Sequence, residues 1–145
     1  MAPGNAGRKE WCINGQRHRE DGPAQEWADG TKEWWVNGEI HREDGPAIEY
    51  ADGTKSWYIN GKHHREDGPA VEYANKSYNA WYIDDMLHRE DGPAIEHASG
   101  HKAWYLNGVL LPEDEFNARM NPVELTLDEI AEKFGVSVDQ IKIKK

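Results

Sequence analysis

Hydrophobic and polar positions recur along this chain with a period near 23 residues. Each unit runs Trp, aromatic, aliphatic, Asn-Gly, two variable residues, His-Arg-Glu-Asp-Gly-Pro-Ala, X-Glu-X-Ala, a turn, and Trp again. Trp11, Trp34, Trp57, Trp81 and Trp104 keep the register, with spacings of 23, 23, 24 and 23. The heptad itself begins at His18, His41, His64 and His88. Self-similarity at such a period marks a small supersecondary unit that stacks on copies of itself.

Residues 46–64 show what one unit should do. Asp52-Gly53 sits between two short runs of strand formers and predicts a two-residue hairpin turn. That turn puts Tyr50 opposite Lys55 and Ile48 opposite Trp57, with Glu49 facing Ser56 and Ala47 facing Tyr58 on the other side. Asn60-Gly61 predicts a second turn, with His64 across from Trp57 and His63 across from Tyr58. A Glu-Asp-Gly-Pro corner then leads into the next unit. The expected fold is mainly β: tandem antiparallel hairpins in an elongated twisted sheet over 9–111. A flexible terminus over 1–8 precedes it, and an α-containing cap over 112–145 follows.

On this register the sheet has two unlike faces. Trp57, Ile59 and Ile48, with Trp34, Val36, Trp81, Ile83, Val71, Ile95, Trp104 and Leu106, form an apolar stripe expected to be the core. The opposite face gathers Ala47, Glu49 and Tyr58 with Trp35, Glu72, Tyr82, Glu96 and Tyr105. A row of aromatics beside carboxylates is a candidate contact surface for a partner, or for the C-terminal segment. The third unit departs from the pattern. Residues 75–79 replace Asp-Gly-Thr-Lys-Ser and predict a longer loop, and Asp84-Asp85 replaces Asn-Gly.

The tail changes character. Pro112 precedes Glu113, Asp114 and Glu115, a favourable first helical turn. Thr126-Leu127-Asp128-Glu129 is a capping box opening a second helix, whose Leu127, Ile130, Ala131 and Phe134 share one face before Gly135 stops it. Residues 138–143 fit either helix or strand, and the alternation of Ile141-Lys142-Ile143 leans toward strand. The stretch from Leu127 to Val138 also looks like the start of a helix-turn-helix, with Ser137 and Gln140 capping a recognition helix. Its acidity and the missing third helix oppose that reading.

Composition narrows the class. A mean hydropathy of -0.95 with 30% charged residues suggests disorder, but seven tryptophans and six tyrosines argue for a packed chain. The net charge of -10 opposes nonspecific binding to nucleic acid or to an anionic membrane. Residues 112–145 carry five basic and eight acidic side chains, so most of the excess belongs to the repeats. Cys12 is the only cysteine, which excludes an intramolecular disulfide and favours a reducing compartment. No stretch has the length or apolarity of a membrane span, and the expected location is the cytoplasm.

Trp57-Tyr58-Ile59-Asn60-Gly61-Lys62 followed by Tyr73, together with the Asp52-Gly53 turn, resembles MORN repeats. The resemblance covers about 9–111. MORN repeats carry His-Gly-X-Gly where this chain has His-Arg-Glu-Asp-Gly-Pro-Ala, which makes it more similar to the MORN-variant, antitoxin-like group. The heptad with a short helical tail is also similar to uncharacterised proteins of tailed bacteriophages. The resemblance implies an elongated antiparallel sheet used for protein contacts.

The heptad also invites a chemical reading, since His, Arg, Glu and Asp recur four times. A catalytic site needs one asymmetric constellation in a cleft, and copies along a rod suit a structural corner better. No catalytic residue, metal site or cofactor is expected. His63-His64 point to opposite faces of a strand, and His97 and His101 have no cysteine partner for zinc. The expected function is non-enzymatic: a protein-binding module, inhibitor or antitoxin-like, masking a possibly basic partner through Trp35, Tyr58, Tyr82, Tyr105, Glu49 and Glu72. The alternatives are sequestration of a nucleotide-like anion by Arg42, Arg65 and Arg89, and self-assembly through open β edges.

Overall fold

The computed structural model describes residues 7–122 and 124–142. The expected N-terminal segment 1–8 falls mostly outside these, as does Ile143 of the expected last strand.

Strands β1 (Lys9–Glu10), β2 (Cys12–Ile13) and β3 (Gln16–Arg17) open the chain. The next unit holds β4 (Gln25–Glu26), β5 (Lys32–Glu33), β6 (Trp35–Val36) and β7 (Glu39–Ile40). It is followed by β8 (Ile48–Glu49), β9 (Lys55–Ser56), β10 (Tyr58–Ile59) and β11 (Lys62–His63). Then come β12 (Val71–Glu72), β13 (Tyr78–Ala80), β14 (Tyr82–Ile83) and β15 (Met86–Leu87). β16 (Ile95–His97), β17 (Lys102–Leu106) and β18 (Val109–Leu111) complete the β part.

Ten strands make one open antiparallel sheet in the order β1-β4-β5-β8-β9-β12-β13-β16-β17-β18. Beside it, β2-β3, β6-β7, β10-β11 and β14-β15 form two-stranded ribbons. Three of the four ribbons close on a left-handed turn at Asn14, Asn37 or Asn60 with the following glycine, as the Asn-Gly dipeptides predict, and β14-β15 closes at Asp84-Asp85. Neighbouring ribbons also join: Arg42 N–H donates to Tyr58 O at 3.0 Å and Gly61 N–H to Ile40 O at 2.8 Å. The molecule is therefore a mainly β stack of hairpins in two tiers, one tier on each side of the tryptophans.

The ribbon register is the expected one, with Tyr58 opposite His63. The other hairpin is not. Ile48 lies opposite Ser56 and Glu49 opposite Lys55, one residue away from the expected pairing. The loop has three residues, because Tyr50 N–H donates to Thr54 O at 2.9 Å and Gly53 N–H to Tyr50 O at 2.9 Å. Asp52 stabilises it by accepting from Thr54 N–H at 2.8 Å, and Gly53 takes the positive φ of 87°. A one-residue slip moves a whole strand to the other face. Ile48, Val71 and Ile95 thus leave the tryptophan side, contrary to the expected core stripe.

One face of the sheet now carries Gln25, Glu33, Ile48, Ser56, Val71, Ala80, Ile95 and Ala103, paired strand to strand. The other carries Lys9, Glu26, Lys32, Glu49, Lys55, Glu72, Asn79, Glu96 and Lys102. Opposite charges alternate across that row and favour this register over a slipped one. The deepest positions are small: Ala24, Ala47, Ala70 and Ala94, which end the four heptads, are fully buried.

The third unit keeps the plan with adjustments. Its extra residue lies in the turn, where Tyr73 N–H donates to Tyr78 O and Lys76 takes a positive φ, so Tyr78 and Asn79 are strand rather than loop. Asp84 and Asp85 both adopt positive φ without a glycine, and their carboxylates lie 3.0 and 3.1 Å from Nδ1 of His64 and His63. Asp85 also accepts from His63 N–H at 2.8 Å.

α1 (Glu113–Met120) follows Pro112 and packs against β17, with Phe116 buried. α2 (Leu127–Phe134) starts on the expected Thr126–Glu129 capping box and stops at left-handed Gly135. Val138–Gln140 is a single 3-10 turn closed by Ser137 and Gln140, not a strand. The Ser137–Gln140 cap competes successfully with the short alternating pattern. It closes no recognition helix within the described residues.

Candidate functional site

The heptad builds a closed corner. At Trp57, the backbone carbonyl accepts from His64 N–H at 3.1 Å and the N–H donates to Ala70 O at 2.8 Å. Both ends of the His64–Ala70 excursion are therefore pinned to one tryptophan. Inside it, the Arg65 guanidinium lies over the Trp57 ring at 4.0 Å, donates Nε to Asp67 at 2.7 Å and Nη1 to Pro69 O at 3.2 Å. Arg19, Arg42 and Arg89 repeat the arrangement over Trp11, Trp34 and Trp81. Each arginine holds the carboxyl of its own Asp21, Asp44, Asp67 or Asp91 below the usual carboxylate range by hydrogen bonding and charge.

This geometry weighs against Arg42, Arg65 and Arg89 as a ladder for anions. Their donors already serve Asp44, Asp67 and Asp91, and Glu49, Glu72 and Glu96 stand 3.3, 3.9 and 3.1 Å from Nη1. An incoming anion would meet carboxylates on both sides. Glu49 and Glu72 were expected beside the tyrosines; they lie on the tryptophan–arginine face instead, because of the one-residue slip.

The opposite face collects the other aromatics. Tyr50, Tyr58 and Tyr73 line a shallow groove of about 450 Å³ with Asp52, Thr54, Ser56, His63 and Val71. His63 stacks between Tyr58 at 4.1 Å and Tyr82 at 5.1 Å, which bridges two units. Tyr78 continues the row, 5.2 Å from Tyr73 and 4.9 Å from His97, whose ring is 5.5 Å from His101. Tyr105 shares the face of Ala103 by strand alternation. At the N-terminal end Trp27 and Trp35 take the places of Tyr50 and Tyr58, and both indoles donate to Glu33, at 2.8 and 2.9 Å. Arg8 and Arg17 lie over these two rings and share Glu10.

Trp35, Tyr58, Tyr82 and Tyr105 thus do stand on one face. Tyr50, Tyr73, Tyr78, His97 and His101 join them, with His63 where the ribbon register put it, and the two-residue-turn register hid Tyr50 and Tyr73. Burial pushes the Tyr58 and Tyr78 hydroxyls up to about 12, with neighbouring tyrosines adding to the effect. Both therefore stay neutral donors at any ordinary pH. Trp27, Tyr50 and Tyr73 are the most open of the tryptophans and tyrosines, each about two-fifths exposed.

Among the described residues no group of three or more His, Cys, Asp or Glu is placed to share a metal ion, and no helix is long and apolar enough to cross a membrane. No family model matches the chain, and no curated protein matches it.

Proposed function

We propose that the chain is a non-enzymatic protein-binding module, and that its tyrosine–histidine face masks a surface of a partner in the manner of a small inhibitor or antitoxin-like protein. The observation that carries this reading is the unbroken aromatic row from Tyr50 and Tyr58 through His63, Tyr82 and Tyr78 to His97. Large exposed aromatic patches on rigid scaffolds mark interaction sites, and tyrosine and tryptophan supply contact area at low entropic cost. Repetition supports a scaffold over an enzyme, because each corner is a copy of the last. A reducing cytoplasm suits the lone exposed Cys12. The resemblance of the repeat motif to MORN-variant and tailed-phage proteins is itself part of this proposal, and with it a phage-encoded inhibitor acting on a host protein.

Native mass spectrometry of the protein, purified gently from cells that make it, tests the reading. A co-purifying polypeptide that is lost on changing Tyr58 and Tyr82 to alanine supports it. A bound small anion lost on changing Arg42, Arg65 and Arg89 would overturn it. A bare homo-oligomer would overturn it too and favour assembly through β1, whose outer edge has no strand partner among the described residues.

A further inference from the structure

The tryptophan–arginine face carries a second feature that the masking reading does not use. Between successive corners lies a groove, and it recurs in register. Trp57 and Ile59 floor the middle one, of about 620 Å³, between the Arg42–Pro46 corner and the corner bearing Glu66. Trp34 and Val36 floor its neighbour of about 670 Å³, and Trp81 and Ile83 the next, of about 880 Å³. Within each corner the aspartate is occupied by arginine, but the glutamate is not. The Glu43, Glu66 and Glu90 side chains are 85%, 86% and 75% exposed, and the basic group beside each is a histidine Nε2 at 3.7, 3.8 and 3.6 Å. Each groove is an apolar floor flanked by two outward glutamates, one from each bounding corner (Glu43 and Glu66 in the middle groove), beside aspartates already held by arginine.

We propose that this row binds a basic segment in the polyproline II conformation, with Lys or Arg at every third position. The charge selects a cationic partner and the spacing selects its conformation. Two strands per unit at about 4.8 Å each put successive grooves about 9.6 Å apart. A polyproline II helix advances about 9.3 Å per three-residue turn, so residues i, i+3 and i+6 face the same side in step with the grooves. An extended strand covers a similar distance in three residues but turns alternate side chains away. An α-helix needs seven residues and about 10.5 Å, a mismatch that accumulates along the row. Aromatic floors are the usual seat for this conformation, whose low entropy favours docking.

The probe is a peptide of five Lys-Pro-Pro triplets, compared with an isomer of identical composition whose five lysines are contiguous. Titration of the full-length protein, followed by tryptophan fluorescence and calorimetry, should show the spaced peptide binding at least about tenfold tighter, with the gain coming from simultaneous engagement of grooves. The variant E43Q/E66Q/E90Q should lose that binding while keeping its circular dichroism. Tighter or equal binding of the contiguous isomer would reduce the effect to charge density and overturn the proposal. No binding, or binding indifferent to the three substitutions, would overturn it as well. The variant Y58A/Y82A should bind the spaced peptide as the parent does, which separates this surface from the tyrosine face.

Discussion

The guanidinium of Arg65 lies 4.0 Å from the centroid of the Trp57 ring and locks the corner whose two ends are bonded to that same tryptophan. The pair joins a cation–π contact to hydrogen bonds with Asp67 and Pro69 O in one side chain. Removing it should cost about 2 kcal/mol, a sum of the usual values for such contacts when partly exposed. Arg65→Lys keeps the charge but not the planar fork, and should lose about half of that. Urea denaturation would measure both. Arg19→Ala should cost less, because in a linear repeat array the terminal unit has a neighbour on one side only.

Gly68 is explained by the same arginine. A Cβ added there would stand 2.8 Å from Arg65 Cζ. The long side chain could swing aside only by giving up its stack and its bonds. Gly68→Ala should therefore destabilise the parent by about 1 kcal/mol yet be close to neutral in an Arg65→Ala background. A full cost in both backgrounds would place the cause in the backbone instead.

Acid should loosen the corners together. Asp21, Asp44, Asp67 and Asp91 have lowered folded-state values because of their arginines. Depressed carboxylates stabilise the fold above their unfolded value of about 4 and lose that contribution as pH falls through the lower folded values. The melting temperature should be flat from neutrality to about pH 5 and fall below about pH 4. Replacing the four aspartates by asparagine should flatten that fall.

Alkali probes the other face. Tyr58 and Tyr78 are raised to about 12, chiefly by burial. Raised tyrosines contribute stability that is complete below their unfolded value of about 10 and is lost as pH rises toward the folded value. Spectrophotometric titration should show two late tyrosinates, and Tyr58→Phe should remove one of them.

Gln25 occupies the position that Ile48, Val71 and Ile95 hold in later units, and its buried Oε1 has no hydrogen-bond partner. Gln25→Ile should raise stability by about 1 kcal/mol, since it removes an unsatisfied polar atom and restores the apolar repeat. An unchanged or lower midpoint would show that the amide is satisfied in solution.

Much of this was legible in the chain. The tryptophan period fixed the unit, Asn60-Gly61 fixed the ribbon register, and Thr126–Glu129 fixed the start of α2, because each is a local rule of backbone geometry. The candidate site was legible in part. Trp35, Tyr58, Tyr82 and Tyr105 were grouped correctly because they all lie on the well-determined ribbon side of the tryptophans. Glu49 and Glu72 lie on sheet strands whose register is set by the Asp52-Gly53 loop and by its counterpart after Tyr73, and there the grouping failed.

The sequence by itself determined the repeat, the β class, the corners and the helix caps, all of which depend on residues close along the chain. The tertiary structure decided which side chains share a face. Two- and three-residue loops at Asp52-Gly53 differ by one residue locally, and the choice between them was made by pairing across strands. The selected register sets Lys55 between Glu49 and Glu72, buries Ile48 and Ser56, and leaves the tyrosines on one side and the arginine-braced tryptophans on the other. No short segment contains that information, because the charges that fix the register and the rings that it sorts come from different repeats.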